Sequence, residues 1–259
     1  MRAALVIFRK ELASLLSPFS AVLLFVFFSL ITGFLFWNAL MYANFLSAKL
    51  ALESASASAV SLSFAETLVS PFFVNLGMVL VVLIPILAMR SFAEEKKLGT
   101  FELLFTYPVS DLQIVAGKFC ALVATLLLLL LPTFVDFAAL YFLKGGFDVN
   151  LVFVAYGGLL LMAMMWTALA MLISSLSENE LWSAAFSGLA LAASWGVGWM
   201  GDWMFGERFR WIREFWPVEH LHDFSRGILD SQTVIFYLVA TWFLMFATLL
   251  SIETRNWKR

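Results

Sequence analysis

Residues Leu112–Phe142 read LQIVAGKFCALVATLLLLLLPTFVDFAALYF. The run carries two charges, Lys118 near its start and Asp136 near its end, and is otherwise almost wholly apolar. About 20 such residues are enough for a helix to cross about 30 Å of hydrocarbon. The run lacks the in–out alternation of a membrane barrel strand, so it reads as a helix. Five more runs have the same character, near 19–42, 72–89, 151–173, 181–199 and 234–252. The expected fold is therefore all-α and polytopic, a single transmembrane domain over 1–259 with six spans.

Composition leads the same way. The chain of 259 residues is 63% hydrophobic and 13% charged, and its mean hydropathy is +0.94. A soluble domain has about 45–50% apolar and about 25% charged residues, so lipid must solvate much of this surface. The net charge of -2 favours neither nucleic acid nor a strongly charged partner. Cys120 is the sole cysteine, which rules out an intrachain disulfide, and its apolar neighbours predict a buried, inert thiol.

Ahead of the first span, Leu5, Phe8, Leu12 and Leu15 recur at helical spacing, with Arg2 and Arg9 on another face. This predicts an amphipathic interfacial elbow helix over 2–16, ended by Pro18. Arg9, Lys10 and Glu11 interrupt the first apolar stretch, so it is expected to remain as an anchor and not to be cleaved as a signal peptide. The Lys and Arg bias between loops favours cytoplasmic N- and C-termini. Ser110 with Gln113, and Ser177 with Glu180, read as capping boxes opening the third and fifth spans. Only Ser174–Glu178 separates the fourth and fifth spans, which makes them antiparallel neighbours.

Between the second and third spans lies RSFAEEKKLGTFELLFTYP, Arg90 to Pro108. It is too charged and too short to cross the bilayer and should lie along its surface. The pattern fits either a solvated interfacial loop or a helix offered to a groove on a partner. Glu94 and Glu95 also suit the first turn of a helix, which favours acids. In Gly201–Leu229, Phe205, Phe209, Ile212 and Trp216 recur at helical spacing, and Trp203, Trp211 and Trp216 suit a membrane interface. That segment reads as an interfacial anchor or a gate. His220 and His222 are spaced poorly for two metal ligands on one helical face, and no metal site is expected. Asp136 is either a pathway residue or a structural partner near the outer boundary. The small residues Ser183, Ala184, Ser187, Gly188, Ala192, Gly196 and Gly198 form a packing face, within the bundle or across a dimer. Met162, Met164 and Met165 read as lipid-facing or as core filler.

Glu94-Glu95-Lys96-Lys97-x-Gly99-Thr100-x-Glu102-x-Leu104, then Pro108-Val109-Ser110 and Gly117-Lys118, resembles the coupling-helix region of type-2 ABC exporter permeases. Ile173 to Asn179 resembles that family's turn between spans four and five, and His220 to Asp230 its segment before the last span. The likeness is greatest to the gliding-motility permeases and their relatives, including the permease of nitrous-oxide reductase maturation. It implies a dimer of permeases, alike or paired, each docking a cytoplasmic ABC ATPase, with a periplasmic accessory protein as a further partner. The implied ATPase contacts are Glu94, Glu95, Gly99, Thr100, Phe101, Glu102 and Leu104. The implied outer gate involves Trp211, Trp216, His220 and Arg226. The chain is not expected to be an enzyme by itself. Gly117-Lys118 is followed by Phe119 and lacks the glycine of a phosphate loop, so ATP and Mg would sit on the partner ATPase and no cofactor on this chain. Rival readings are a secondary transporter, which would show paired intramembrane charges, a membrane-embedded enzyme, or a non-transporting membrane scaffold.

Overall fold

A computed structural model describes residues 2–53, 65–99, 109–144, 147–204 and 216–256. The described residues form helices joined by short turns, with no strand among them. In chain order the helices are α1 (Arg2–Leu16), α2 (Phe19–Glu53), α3 (Ser70–Ala88, entered through a π-helical turn, Ala65–Val69), α4 (Ala93–Lys97), α5 (Asp111–Lys144), α6 (Val149–Leu176), α7 (Glu180–Met204), α8 (Pro217–Ser225) and α9 (Ser231–Asn256). Five of these, α2, α3, α5, α6 and α9, are long and apolar enough to cross a membrane. α7 has 25 residues, about 37 Å at 1.5 Å per residue.

The long helices overrun the apolar runs that announce them. α2 continues to Glu53 where the run ends near Tyr42, and α5 spans 34 residues, about 51 Å. A hydropathy reading marks the hydrocarbon-matched centre, whereas the helix stops where its backbone is capped. Asp148 accepts from the Asn150 amide (3.0 Å) to open α6, and Asp230 accepts from the Gln232 amide (3.0 Å) to open α9. α5 opens directly after Ser110, whose carbonyl receives the Gln113 amide at 2.9 Å. The expected capping box at Ser177 is not formed. Ser177 is extended and donates to the Ile173 carbonyl (2.9 Å), closing α6, while Asn179 accepts from the Leu181 amide (2.9 Å) and caps α7. The two-residue offset follows because the extended Ser177 ends one helix before the next begins.

α6 is the axis of the bundle and packs against α3, α4, α5, α7, α8 and α9. Ala155, Leu159, Met162, Ala163, Trp166, Ala170 and Met171 along it are fully buried, which settles Met162 as core filler. Around its α8 end, Phe36, Phe72, Phe73, Phe137 and Tyr156 interlock mostly edge to face at 4.8–5.5 Å, each pair worth about 0.5–1.5 kcal/mol beyond area burial. On α7, Ser183, Ser187 and Leu191 form a buried stripe, and Gly188 lies opposite Pro85 of α3, so part of the small-residue face packs within the bundle. α2 and α9 stay largely exposed, with Phe27, Phe34, Phe45, Trp242 and Phe243 pointing outward. Membrane helices associate by close packing and not by hiding apolar surface from lipid, so this outward apolar belt is what a bilayer requires. Cys120 is exposed on α5, contrary to the buried thiol expected. Its apolar neighbours signal lipid as readily as they signal a core.

α1 is a helix over Arg2–Leu16 whose apolar stripe is turned inward except at its start. Leu5 is exposed, Phe8, Leu12 and Leu15 are half-buried, and Leu15 packs onto the core together with Ile7. Gly117 of α5 admits this contact, since a Cβ there would meet Ile7 Cγ2 at 2.9 Å and the Ala4 carbonyl at 3.1 Å.

Candidate functional site

Two polar constructions stand at opposite ends of the bundle. At the first, α3 ends at Ala88, and the chain turns through Met89–Phe92 into the five-residue α4. Ser91 Oγ donates to the Ala88 carbonyl at 2.8 Å. Ser174 of α6 then serves three backbone groups of the turn. Its hydroxyl accepts from the Phe92 and Ala93 amides (both 3.2 Å) and donates to the Met89 carbonyl (3.2 Å). Orphan backbone groups at a helix join are costly when buried, and one fully buried serine answers three of them. Lys96 Nζ donates to the Ser175 and Ser177 carbonyls, and Lys97 pairs with Glu180 at 3.1 Å. α4 is thereby clamped to the α6–α7 corner. Ser175 also donates to Ser251 Oγ of α9 at 3.1 Å.

The third attachment is ionic. Lys118 of α5, with a side chain 2% exposed, holds Glu11 of α1 at 2.9 Å and Glu95 of α4 at 2.8 Å. Its ammonium also stands 5.3 Å from the Phe92 ring centre, within cation–π range. A charge buried this deeply persists only when paired, and here one ammonium ties three elements together. Gly99 ends α4 with φ +69, its amide meeting the Lys96 carbonyl at 3.2 Å. Only glycine adopts that left-handed turn freely.

Of the seven residues implied as ATPase contacts, Glu94, Glu95 and Gly99 are therefore placed. Glu95 is turned inward to Lys118, Glu94 is half-buried, and Gly99 and Leu98 are exposed. Thr100, Phe101, Glu102 and Leu104 lie outside the described residues. The sequence reading missed Glu11, Lys118 and Ser174 as members of this site. Lys118 was visible as a charge inside an apolar run, whereas Glu11 lies 107 positions from it and off the apolar stripe that the sequence shows on α1. Nothing local marks Ser174.

At the other end, α8 is wedged among α3, α6, α7 and α9. Phe224 is buried directly on Gly158 of α6, where an added Cβ would fall 2.4 Å from the phenyl carbons. His222 Nδ1 is hydrogen-bonded to Ser70 Oγ of α3 (2.9 Å), and His220 Nδ1 to Thr233 Oγ1 of α9 (3.2 Å). The Tyr237 hydroxyl of α9 donates to the Pro217 carbonyl. The two histidines thus serve different neighbours. Trp216 precedes α8 as its N-cap, Arg226 follows as its exposed C-cap, and Gly227 (φ +81) reverses the chain. Trp211 lies outside the described residues. Asp136 is half-buried in α5, with no ion pair or hydrogen bond to another described residue. One turn before it, Thr133 meets the Tyr156 hydroxyl at 2.6 Å.

A helical bundle with several apolar spans and clamped polar corners defines a multi-pass membrane protein. Residues 5–204 match the family model described as ABC-2 family transporter protein, and the chain belongs to that family. Members are membrane components that work with an ATPase subunit. No curated protein matches the chain.

Proposed function

We propose that this chain is the permease subunit of an ATP-binding cassette transporter of the bacterial inner membrane. It couples ATP hydrolysis by a separate cytoplasmic ATPase, which holds the ATP and Mg, to export or to mechanical work across the membrane. In this reading α7 is a sixth span, both termini are cytoplasmic, α1 is the interfacial elbow and the segment from α4 onward is the coupling helix. Two permeases of the gliding-motility or nitrous-oxide reductase maturation type form a dimer, and a periplasmic accessory protein meets the α8 end.

The observation that carries this reading is the triple anchorage of α4. A segment that receives force from an ATPase must pass it to the spans, and α4 is bonded to α6 through Ser174, to α7 through Glu180, and to α1 and α5 through Lys118. Gly99, Thr100, Phe101, Glu102 and Leu104 form the outward contact. Glu94 and Glu95 form its inner flank, Glu95 relaying movement to Lys118. At the opposite end, Trp211, Trp216, His220 and Arg226 frame α8 as the outer gate, and Asp136 faces the pathway.

Co-purification from native membranes tests this directly. The chain should bring down an ATPase whose activity is vanadate-sensitive. Replacing Phe101 with Ala and Glu102 with Gln together should detach that subunit or abolish its stimulation. An unaltered, normally stimulated complex in the double variant would refute the assignment.

A further inference from the structure

Where α1 meets α2, and α3 runs into α4, the helices enclose a cleft of about 130 Å³. One end is polar, with Glu11, Arg90, Glu94 and Lys118. Ser14, Ser20 and Ser91 add hydroxyls. The other end is apolar, formed by Leu24, Ile86 and Leu122, and adjoins the outward belt of Phe19 and Leu23. A cleft that is polar at one end and greasy at the other, beside a lipid-facing helix, has the shape of a lipid site.

The charges narrow the choice. Lys118 is already engaged by Glu11 and Glu95, one ammonium between two carboxylates, and offers no free positive charge. Arg90 and Glu94 remain, four positions apart where the chain turns into α4, and neither makes an ion pair with a described residue. A simple anion entering here meets the Glu11 and Glu94 carboxylates, and a simple cation meets Arg90 and Lys118. A group carrying both a phosphate and an ammonium satisfies the two open charges together. An ammonium with N–H bonds can also donate to Glu94 and the serines, which a quaternary ammonium cannot.

We propose that this cleft binds the headgroup of a diacyl phospholipid bearing a phosphate and a primary ammonium, a phosphatidylethanolamine. Arg90 takes the phosphate, Glu94 the ammonium, and Leu24, Ile86 and Leu122 the start of an acyl chain. Binding needs neither ATP nor an ATPase, so it stands or falls separately from the transport reading.

The full chain in detergent is mixed with palmitoyl-oleoyl phosphatidylethanolamine, phosphatidylcholine or phosphatidylglycerol, and retained lipid per protomer is read by native mass spectrometry. The ethanolamine lipid should be held about tenfold more tightly than either other, the size of one charge-assisted hydrogen bond. Arg90→Gln and Glu94→Gln should each cut its retention about tenfold. Leu24→Trp, which fills the apolar end and changes no charge, should lower retention of the same lipid, and melting in lipid-free detergent confirms that each variant is folded. Equal retention of the three lipids, preference for phosphatidylglycerol, or unchanged retention in folded Arg90→Gln overturns the proposal. Displacement of the lipid by an equal concentration of soluble phosphoethanolamine would also overturn it, by showing that no acyl chain is recognised.

Discussion

Lys118 concentrates the chemistry of the α4 end in one side chain. Removing one member of a buried ionic set costs about 3–5 kcal/mol, while replacing the whole set by apolar or neutral groups is often close to neutral. Lys118→Met should therefore destabilise the protein by about 3 kcal/mol, the low end, because Glu11 and Glu95 keep some contact with solvent. Much of that loss should return in the triple variant Lys118→Met, Glu11→Gln, Glu95→Gln, read as melting temperature in detergent. Equal loss in both would mean that Lys118 acts by packing alone. Ser174 is a neutral counterpart. Ser174→Ala leaves the Phe92 and Ala93 amides and the Met89 carbonyl short of a partner and should cost about 1–3 kcal/mol, with faster hydrogen exchange at those two amides. Lys118 could be singled out from sequence, since a charge inside an apolar run must be answered. Its partners could not, because Glu11 and Glu95 lie 107 and 23 positions away.

Among elements, α8 is held most by shape. Phe224 occupies the space that a Cβ on Gly158 would need, and both neighbours are fixed in buried helices, so the site cannot give cheaply. Gly158→Ala should cost about 1–3 kcal/mol through overpacking, and it should displace α8. A cysteine placed at His222 would then react faster with a water-soluble maleimide than the same cysteine on the parent background, once Cys120 is removed. Unchanged reactivity and melting would show that α6 and α8 can part without strain. The sequence indicated that something helical and interfacial precedes the last span. It did not show the wedge, because a glycine in a helix and a phenylalanine 66 positions later acquire meaning only when they touch. The same limit explains Ser177. Its spacing to Glu180 suited a capping box, but the extended backbone at that residue gave the role to Asn179.

At the scale of the molecule, the bundle has two polar ends. Lys97, Glu180 and Ser251 share one, and Ser70, His222 and Thr233 share the other. In the orientation proposed above, single cysteines at Lys97 and Glu180 in a Cys120→Ala background should be labelled only from the cytoplasm. One at Asp230 should be labelled only from the opposite compartment, as measured with a membrane-impermeant maleimide on right-side-out and inverted vesicles. Labelling of position 97 from outside would reverse the topology and remove α4 from reach of any cytoplasmic ATPase. The exposed rings of α2 and α9 fit lipid contact on the faces those two helices present.

The amino-acid sequence by itself determined that the chain is helical and membrane-embedded, where the long apolar runs lie, and which short charged segment could not enter the bilayer. Those properties depend on composition and local periodicity, which act within a few turns. Tertiary structure alone decided that Glu95 turns inward to Lys118, that one serine of α6 secures the entry to α4, that Cys120 looks outward, and that Phe224 sits on Gly158. Each requires two distant stretches to meet. In a chain so uniformly apolar, hydropathy marks which segments lie in lipid but not which face of a helix meets a neighbour.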